Sequence, residues 1–144
     1  MNDYERLYSL LSACTAAVKS AADCSLAQGA TRGLDFDGLL LLAALSSGEE
    51  MRIQQLASAL NRDITTTSRH VASLTARGWL IKRVDPHDRR VRYVRLTELA
   101  ATALQEAQGR LQLLYGHILA KLSPIEQQEL ARMLALILEQ QRTD

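Results

Sequence analysis

A chain of 144 residues, 47% apolar and only 4% aromatic, is long enough to bury a core without disulfide or metal staples, and its alanine- and leucine-rich make-up suits helices. The net charge of +1 hides a polarised chain, because residues 52–95 carry ten basic side chains against three acids, a net of +7, and leave −6 for the rest. No apolar run reaches bilayer length, no basic stretch precedes an apolar one near Met1, and Cys14 and Cys24 would lie about 15 Å apart along one helix. A soluble, reduced, cytoplasmic protein is therefore expected, with no membrane contact, signal peptide or local disulfide.

From Tyr4 the pattern Tyr4, Leu7, Leu11, Cys14, Val18, Ala21, Ser25 advances in steps of three and four. It predicts a helix of about 25 residues with a narrow coiled-coil-like seam, ended by Gly29. Asp35 is placed to cap a second helix, whose apolar run from Leu39 to Leu45 is expected to be buried on every side before Ser46-Ser47-Gly48 stops it. Ile53, Leu56, Ala57 and Leu60 mark a short amphipathic helix, and Asn61-Arg62 a turn. Asp63 caps the next helix, with a predicted inward stripe of Ile64, Thr67, Val71 and Leu74 and a stop at Arg77-Gly78. Two strand-like runs, residues 79–84 and 91–96, flank the polar turn Asp85-Pro86-His87-Asp88-Arg89-Arg90. Thr97 caps a helix carrying Leu104, Ala107, Leu111, Leu114 and Ile118. Ser123-Pro124-Ile125-Glu126 is a capping box that opens a last helix, expected to bury Leu130, Met133, Leu134, Ile137 and Leu138. Four helices, a hairpin and two more helices make a mainly α fold around a winged helix-turn-helix.

Residues 56–97, "LASALNRDITTTSRHVASLTARGWLIKRVDPHDRRVRYVRLT", resemble the core of the MarR family of bacterial transcription regulators. The motif positions are Leu74, Gly78 and Leu80 after the helix-turn-helix, Asp88 and Arg90 in the wing, and Leu96-Thr97 at the start of the long fifth helix. The resemblance implies one domain over residues 1–144, with residues 1–33 and 98–144 as dimerisation helices. Residues 34–97 would form the DNA-binding lobe, with a wing at 79–96. It further implies a homodimer, recognition helices in successive major grooves, wing arginines in the minor groove, and a small-molecule effector such as an aromatic acid. Three places depart from the family pattern: Asp35 and Gly38 open the second helix, Asp63-Ile64 opens the recognition helix, and Ala100 replaces a glycine.

On a helical wheel of residues 63–77 the outward face holds Thr65, Thr66, Arg69, Ala72, Ser73 and Ala76, small and hydroxylated with one long cation. Such a face suits a major groove, with threonine methyls against thymine and Arg69 on guanine or phosphate. The candidate DNA contacts are Arg62, Thr65, Thr66, Arg69 and Ser73 from the helix-turn-helix, and Asp88, Arg89, Arg90 and Arg92 from the wing. By the family pattern Arg90 enters the minor groove and Asp88 steadies it or a nearby arginine, while Arg89 and Arg92 meet phosphate. His70, on the flank of the recognition helix, is expected to partner backbone or phosphate.

The expected function is a ligand-responsive dimeric regulator, a repressor, on a pseudo-palindromic operator. Two alternatives stand beside it: a thiol-based oxidation sensor working through Cys14, and a winged-helix module that docks an acidic protein. Cys14 falls on the helical seam, which favours a buried structural thiol. The chain carries no glycine-rich phosphate loop, paired His/carboxylate spacing or nucleophile motif, so neither enzyme activity nor a cofactor is expected. His70, His87 and His117 lie in three different elements, so no metal site is expected either.

Overall fold

Local capping chemistry starts nearly every helix of the computed structural model, which describes residues 2–140. Helix α1 (Asp3–Leu26) opens on a reciprocal pair: Glu5 N donates to Asn2 Oδ1 at 2.8 Å, and Asn2 N donates to Glu5 Oε2 at 3.0 Å. Helix α2 (Phe36–Ala44) is capped by Asp35, whose Oδ1 accepts from Gly38 N at 2.7 Å. Its first amide, Phe36 N, donates to Asp23 Oδ1 at 2.7 Å and so ties the start of α2 to α1. The departure from the family pattern at Asp35 and Gly38 thus makes a cap.

Helices α3 (Ile53–Ala59) and α4 (Ile64–Ala76) meet at a tight turn in which Asn61 adopts a left-handed φ of 51°. Asp63 caps α4 by accepting from Thr66 N at 2.9 Å. Leu39, Leu41, Leu42 and Leu45 pack with Leu56, Ala57, Val71 and Leu74 in the buried core. Two inward assignments need correction. Leu40 is 37% exposed, because a helix on the edge of the core has one face left for solvent. Ile64 is 51% exposed. At 100° per residue it sits about 50° from the centre of the Thr67, Val71 and Leu74 stripe, toward the outer face.

Strands β1 (Met51–Arg52), β2 (Leu80–Val84) and β3 (Arg92–Leu96) form an antiparallel sheet in the order β1-β3-β2. Leu80 faces Leu96, Lys82 faces Val94 and Val84 faces Arg92; on the other edge Met51 also pairs with Val94. The hairpin follows the sequence pattern, whereas β1, two residues long, is too short to display an alternation. Trp79, Leu80 and Val94 carry the base of the wing into the core. There Thr97 Oγ1 donates to Gly78 O at 2.8 Å and accepts from Ala100 N at 3.1 Å, closing the hairpin and opening α5 (Glu98–Leu119). Ala100 itself is fully buried beside Ala103, Leu104 and Ala107. Arg77, at the end of α4, donates through Nη2 to the carbonyl of Gly33, whose φ of 87° favours glycine.

The described residues divide into two compact units, with the boundary between Gln108 and Gly109. In the second unit, α6 (Pro124–Gln140) begins at the predicted capping box, with Ser123 N donating to Glu126 Oε2 at 2.7 Å and Glu126 N to Ser123 Oγ at 3.3 Å. Gln127 Nε2 donates to the carbonyls of Leu119 and Leu122, at 3.0 and 3.1 Å, and so seals the turn between the helices.

The expected burial along α6 does not occur within the chain. None of its described residues is buried, and Met133 (47%), Leu134 (44%), Ile137 (42%) and Leu138 (61%) are exposed. In α1 only Ala22 and Leu26 are buried, while Leu7 is 57% exposed, Leu11 45%, and Cys14 is likewise exposed. The helical periodicity is present in both helices, but a stripe on a wheel says which residues share a face and not what covers it.

Candidate nucleic-acid interface

The outer face of α4, the start of α3 and the hairpin enclose an open groove of about 860 Å³. Ile64, Thr65, Ser68, Arg69 and Ala72 form its α4 wall, and Ile53 and Gln54 its α3 end. Arg52, Lys82, Arg90 and Arg92 enter from the sheet and wing, so the lining holds five cations with Arg69, against one carboxylate, Asp88. Like charges converging on a concave surface focus a positive potential, which a polyanion can neutralise.

The tip that presents Arg90 is preformed. Asp85 Oδ1 accepts from His87 N at 2.8 Å and from Asp88 N at 3.1 Å, while Asp85 N donates to Val91 O at 2.9 Å. The bonds to its carboxylate, led by the one from the His87 amide, hold the Asp85 carboxyl below its ordinary pKa. Asp88 Oδ1 accepts from Arg90 N at 2.9 Å, and Asp88 O accepts from Val91 N at 3.0 Å. Asp88 therefore steadies Arg90 through the main chain and leaves its exposed guanidinium projecting from the turn.

The stem of the wing has its own brace. Arg83 grips Glu50, with Nη2 at 2.7 Å from Oε2 and Nε at 3.2 Å from Oε1, and its Cζ stands 4.5 Å from the centroid of the Tyr93 ring. Arg52 lies 5.7 Å from the same ring, and Tyr93 Oη donates to Asp85 Oδ2 at 3.3 Å. The hydrogen bond between Arg83 and Glu50 is the main cause of the lowered Glu50 pKa and the raised Arg83 pKa. Arg83 counted toward the basic segment in the sequence, yet its charge is matched by an acid just outside that segment.

The remaining expected contacts divide. Thr65, Arg69, Asp88, Arg90 and Arg92 line the groove, whereas Arg62, Thr66, Ser73 and Arg89 lie outside its lining. Ser73 and Arg89 are exposed. The Thr66 hydroxyl donates to Asp63 Oδ1 at 2.6 Å, and this bond leads the causes that lower the Asp63 pKa. Arg62 is turned to Asp37, Nη2 to Oδ1 at 2.6 Å, and its Nη1 lies 3.4 Å from His70 Nδ1. Arg52, Ile53, Gln54, Ile64, Ser68, Lys82 and Val91 belong to the groove although they were not among the expected contacts; basic charge in the 52–95 segment was the available signal for Arg52 and Lys82. Among the described residues no cluster of three or more His, Cys, Asp or Glu side chains is arranged to hold a metal, and no helix is long and apolar enough to cross a membrane.

Residues 38–91 match the model of the MarR family. The uncharacterized HTH-type transcriptional regulator YxaD of Bacillus subtilis (strain 168) is 30% identical over 104 residues, spanning 72% of this chain and 73% of that one. A second regulator of that organism described in the same words, YdgJ, is 27% identical over 106 residues, and the match spans 74% of this chain but 65% of YdgJ. Among solved structures, AbsC, a MarR family transcriptional regulator from Streptomyces coelicolor, superposes with a TM-score of 0.83 at 20% identity over 100% of this chain and 98% of that one. FabT of Streptococcus pneumoniae, solved in complex with DNA, gives 0.82 at 15% identity over 95% and 96% of the two chains. At these identities the structural likeness is one of fold.

Proposed function

This chain belongs to the MarR family, and on that premise we propose that it is a homodimeric transcription regulator that binds double-stranded DNA through the groove between α4 and the wing. The observation that carries the reading is the convergence of five cations on that groove. Helix α4 enters a major groove, where Thr65 and Arg69 reach base edges and Thr66 and Ser73 supply flanking polar contacts. Arg90 probes the minor groove from the turn that Asp88 holds, and Arg89, Arg92 and Lys82 meet phosphates. The exposed apolar faces of α1 and α6 support a dimer, because stripes of this size are unfavourable in water and a second copy would cover them.

A two-fold dimer presents its two α4 helices to grooves about 34 Å apart, one DNA turn, so the operator is a pseudo-palindrome. The protein acts as a repressor, and a small-molecule effector, an aromatic acid, relieves it by changing the spacing of the two α4 helices.

Fluorescence anisotropy on DNA from the gene's own upstream region, with wild type and Arg90→Ala at several salt concentrations, tests the reading. The expected result is tight wild-type binding that weakens steeply with salt and a marked loss in Arg90→Ala with the dimer intact. Absence of wild-type binding across candidate fragments and salts would turn the groove into a docking surface for an acidic protein.

A further inference from the structure

Arg62 has the charge of a DNA contact but not the geometry of one. Its side chain is half-buried, 23% exposed, and its guanidinium reaches from the start of α2 to the flank of α4, with Nη2 on Asp37 Oδ1 at 2.6 Å and Nη1 at 3.4 Å from His70 Nδ1. The other carboxylate oxygen of Asp37 faces Lys19 Nζ of α1 at 3.6 Å. Asp37 is thus shared between α1 and the helix-turn-helix turn. The Arg62 hydrogen bond is the leading cause that holds its carboxyl below the ordinary aspartate pKa. A guanidinium only donates, so the contact with His70 requires Nδ1 to accept, which in the neutral ring places the proton on Nε2.

From these contacts we infer that Arg62 is a positioning residue for DNA recognition: held by Asp37, it sets α4 against α2 and α1 through His70 and does not itself meet phosphate. The inference rests on the DNA-binding reading above. Asp37, Arg62 and His70 come from α2, the α3–α4 turn and α4, and α4 carries Arg69 one residue before His70. A guanidinium fork that engages a carboxylate on one side and an imidazole on the other defines distance and orientation together, as a point charge cannot. Consequently the rotation that points Arg69 and Thr65 into the groove depends on an ion pair outside it.

The decisive variant is Asp37→Asn, because the two roles for Arg62 predict opposite signs. If Arg62 is a phosphate contact, removing the acid that competes for it strengthens DNA binding. If it is a positioning residue, the same substitution weakens binding even though the protein becomes more positive. Operator DNA would be titrated with wild type, Asp37→Asn, Arg62→Gln and the double variant, with sedimentation and circular dichroism verifying that each remains a folded dimer. The expected result is a weakening of about tenfold in each single variant and no further loss in the double variant, the non-additivity of two residues acting as one unit.

Hydrogen exchange supplies a readout that does not need DNA: amides of α4 should exchange faster in Asp37→Asn than in wild type. Tighter DNA binding by Asp37→Asn, or additive losses in the double variant, would overturn the inference, as would α4 amides that exchange at the wild-type rate. A wild type without salt-dependent binding would overturn the DNA-binding reading and this inference with it, an outcome distinct from wild-type binding that Asp37→Asn leaves unweakened.

Discussion

Arg83 and Tyr93 face each other across the β2–β3 ladder, with the guanidinium carbon 4.5 Å from the ring centroid and the same guanidinium gripping Glu50 at 2.7 Å. The wing is thereby tied to the loop before β1 by a contact at its stem, while its tip is left to the hydrogen bonds of Asp85 and Asp88. Exposed ion pairs add little to global stability, so the brace acts on local order. Tyr93→Leu should speed hydrogen exchange of the hairpin amides between Leu80 and Leu96 several-fold with little change in the thermal midpoint. Unchanged exchange would mean that the strand ladder alone orders the wing.

Asp35 and Asp63 each bond the backbone of their own helix from the N-cap position, at 2.7 and 2.9 Å. Asp35→Ala should cost about 0.5–2 kcal/mol in denaturant unfolding and Asp63→Ala should lower the unfolding midpoint in the same direction, with the serine variants losing much less. Equal losses for alanine and serine would show that the carboxylate charge, and not the cap bond, is what stabilises.

Acid should expose the Asp37–Arg62 contact. The folded pKa of Asp37 is depressed below its ordinary 3.8, chiefly by the Arg62 hydrogen bond, so its stabilising contribution is complete above that value and disappears as the pH falls through the folded one. Unfolding free energy measured from about pH 6 downward should therefore decline on approaching pH 4 and below. Asp63 and Asp85, with pKa values lowered by local hydrogen bonds, add to the decline in the same direction. Arg62→Gln should flatten it; an unaltered slope would assign the acid sensitivity to the other carboxylates.

Arg69 is exposed on the α4 wall of the groove and touches the specificity question directly. Arg69→Ala should relax preference at one base position per half-site by about 1–3 kcal/mol, as read from competition against single-base operator variants. Uniform weakening on every sequence, with a shallower salt dependence, would identify Arg69 as a phosphate contact.

The apolar faces of α1 and α6 lead to a separate prediction about assembly. Leu134 is 44% exposed and Leu7 57%, and both sit on stripes that a second copy would cover. Leu134→Glu should shift sedimentation toward monomer and abolish high-affinity operator binding, while Leu113→Glu, off the α5 stripe of Leu104, Ala107, Leu111, Leu114 and Ile118, should leave the dimer unchanged. A Leu134→Glu dimer as tight as wild type would place the interface elsewhere.

What the sequence determined by itself was whatever is settled within a few residues. The caps at Asp35, Asp63, Thr97 and Ser123, the turn at Asn61-Arg62 and the Asp85 bonds in the polar turn between the two strand-like runs all involve partners within about four positions. Tertiary structure decided the rest. Arg62 meets Asp37 across 25 residues and Arg83 meets Glu50 across 33, so a count of basic charge could not reveal which cations were already matched. Strand β1 exists because β3 offers it an edge, not because two residues carry a pattern. The same limit explains α1 and α6, where a helical stripe displays its apolar face in the sequence but its exposure depends on what packs against it. Hydrogen bonds to near neighbours are encoded locally, whereas charge pairing and burial depend on distances that only the folded chain defines.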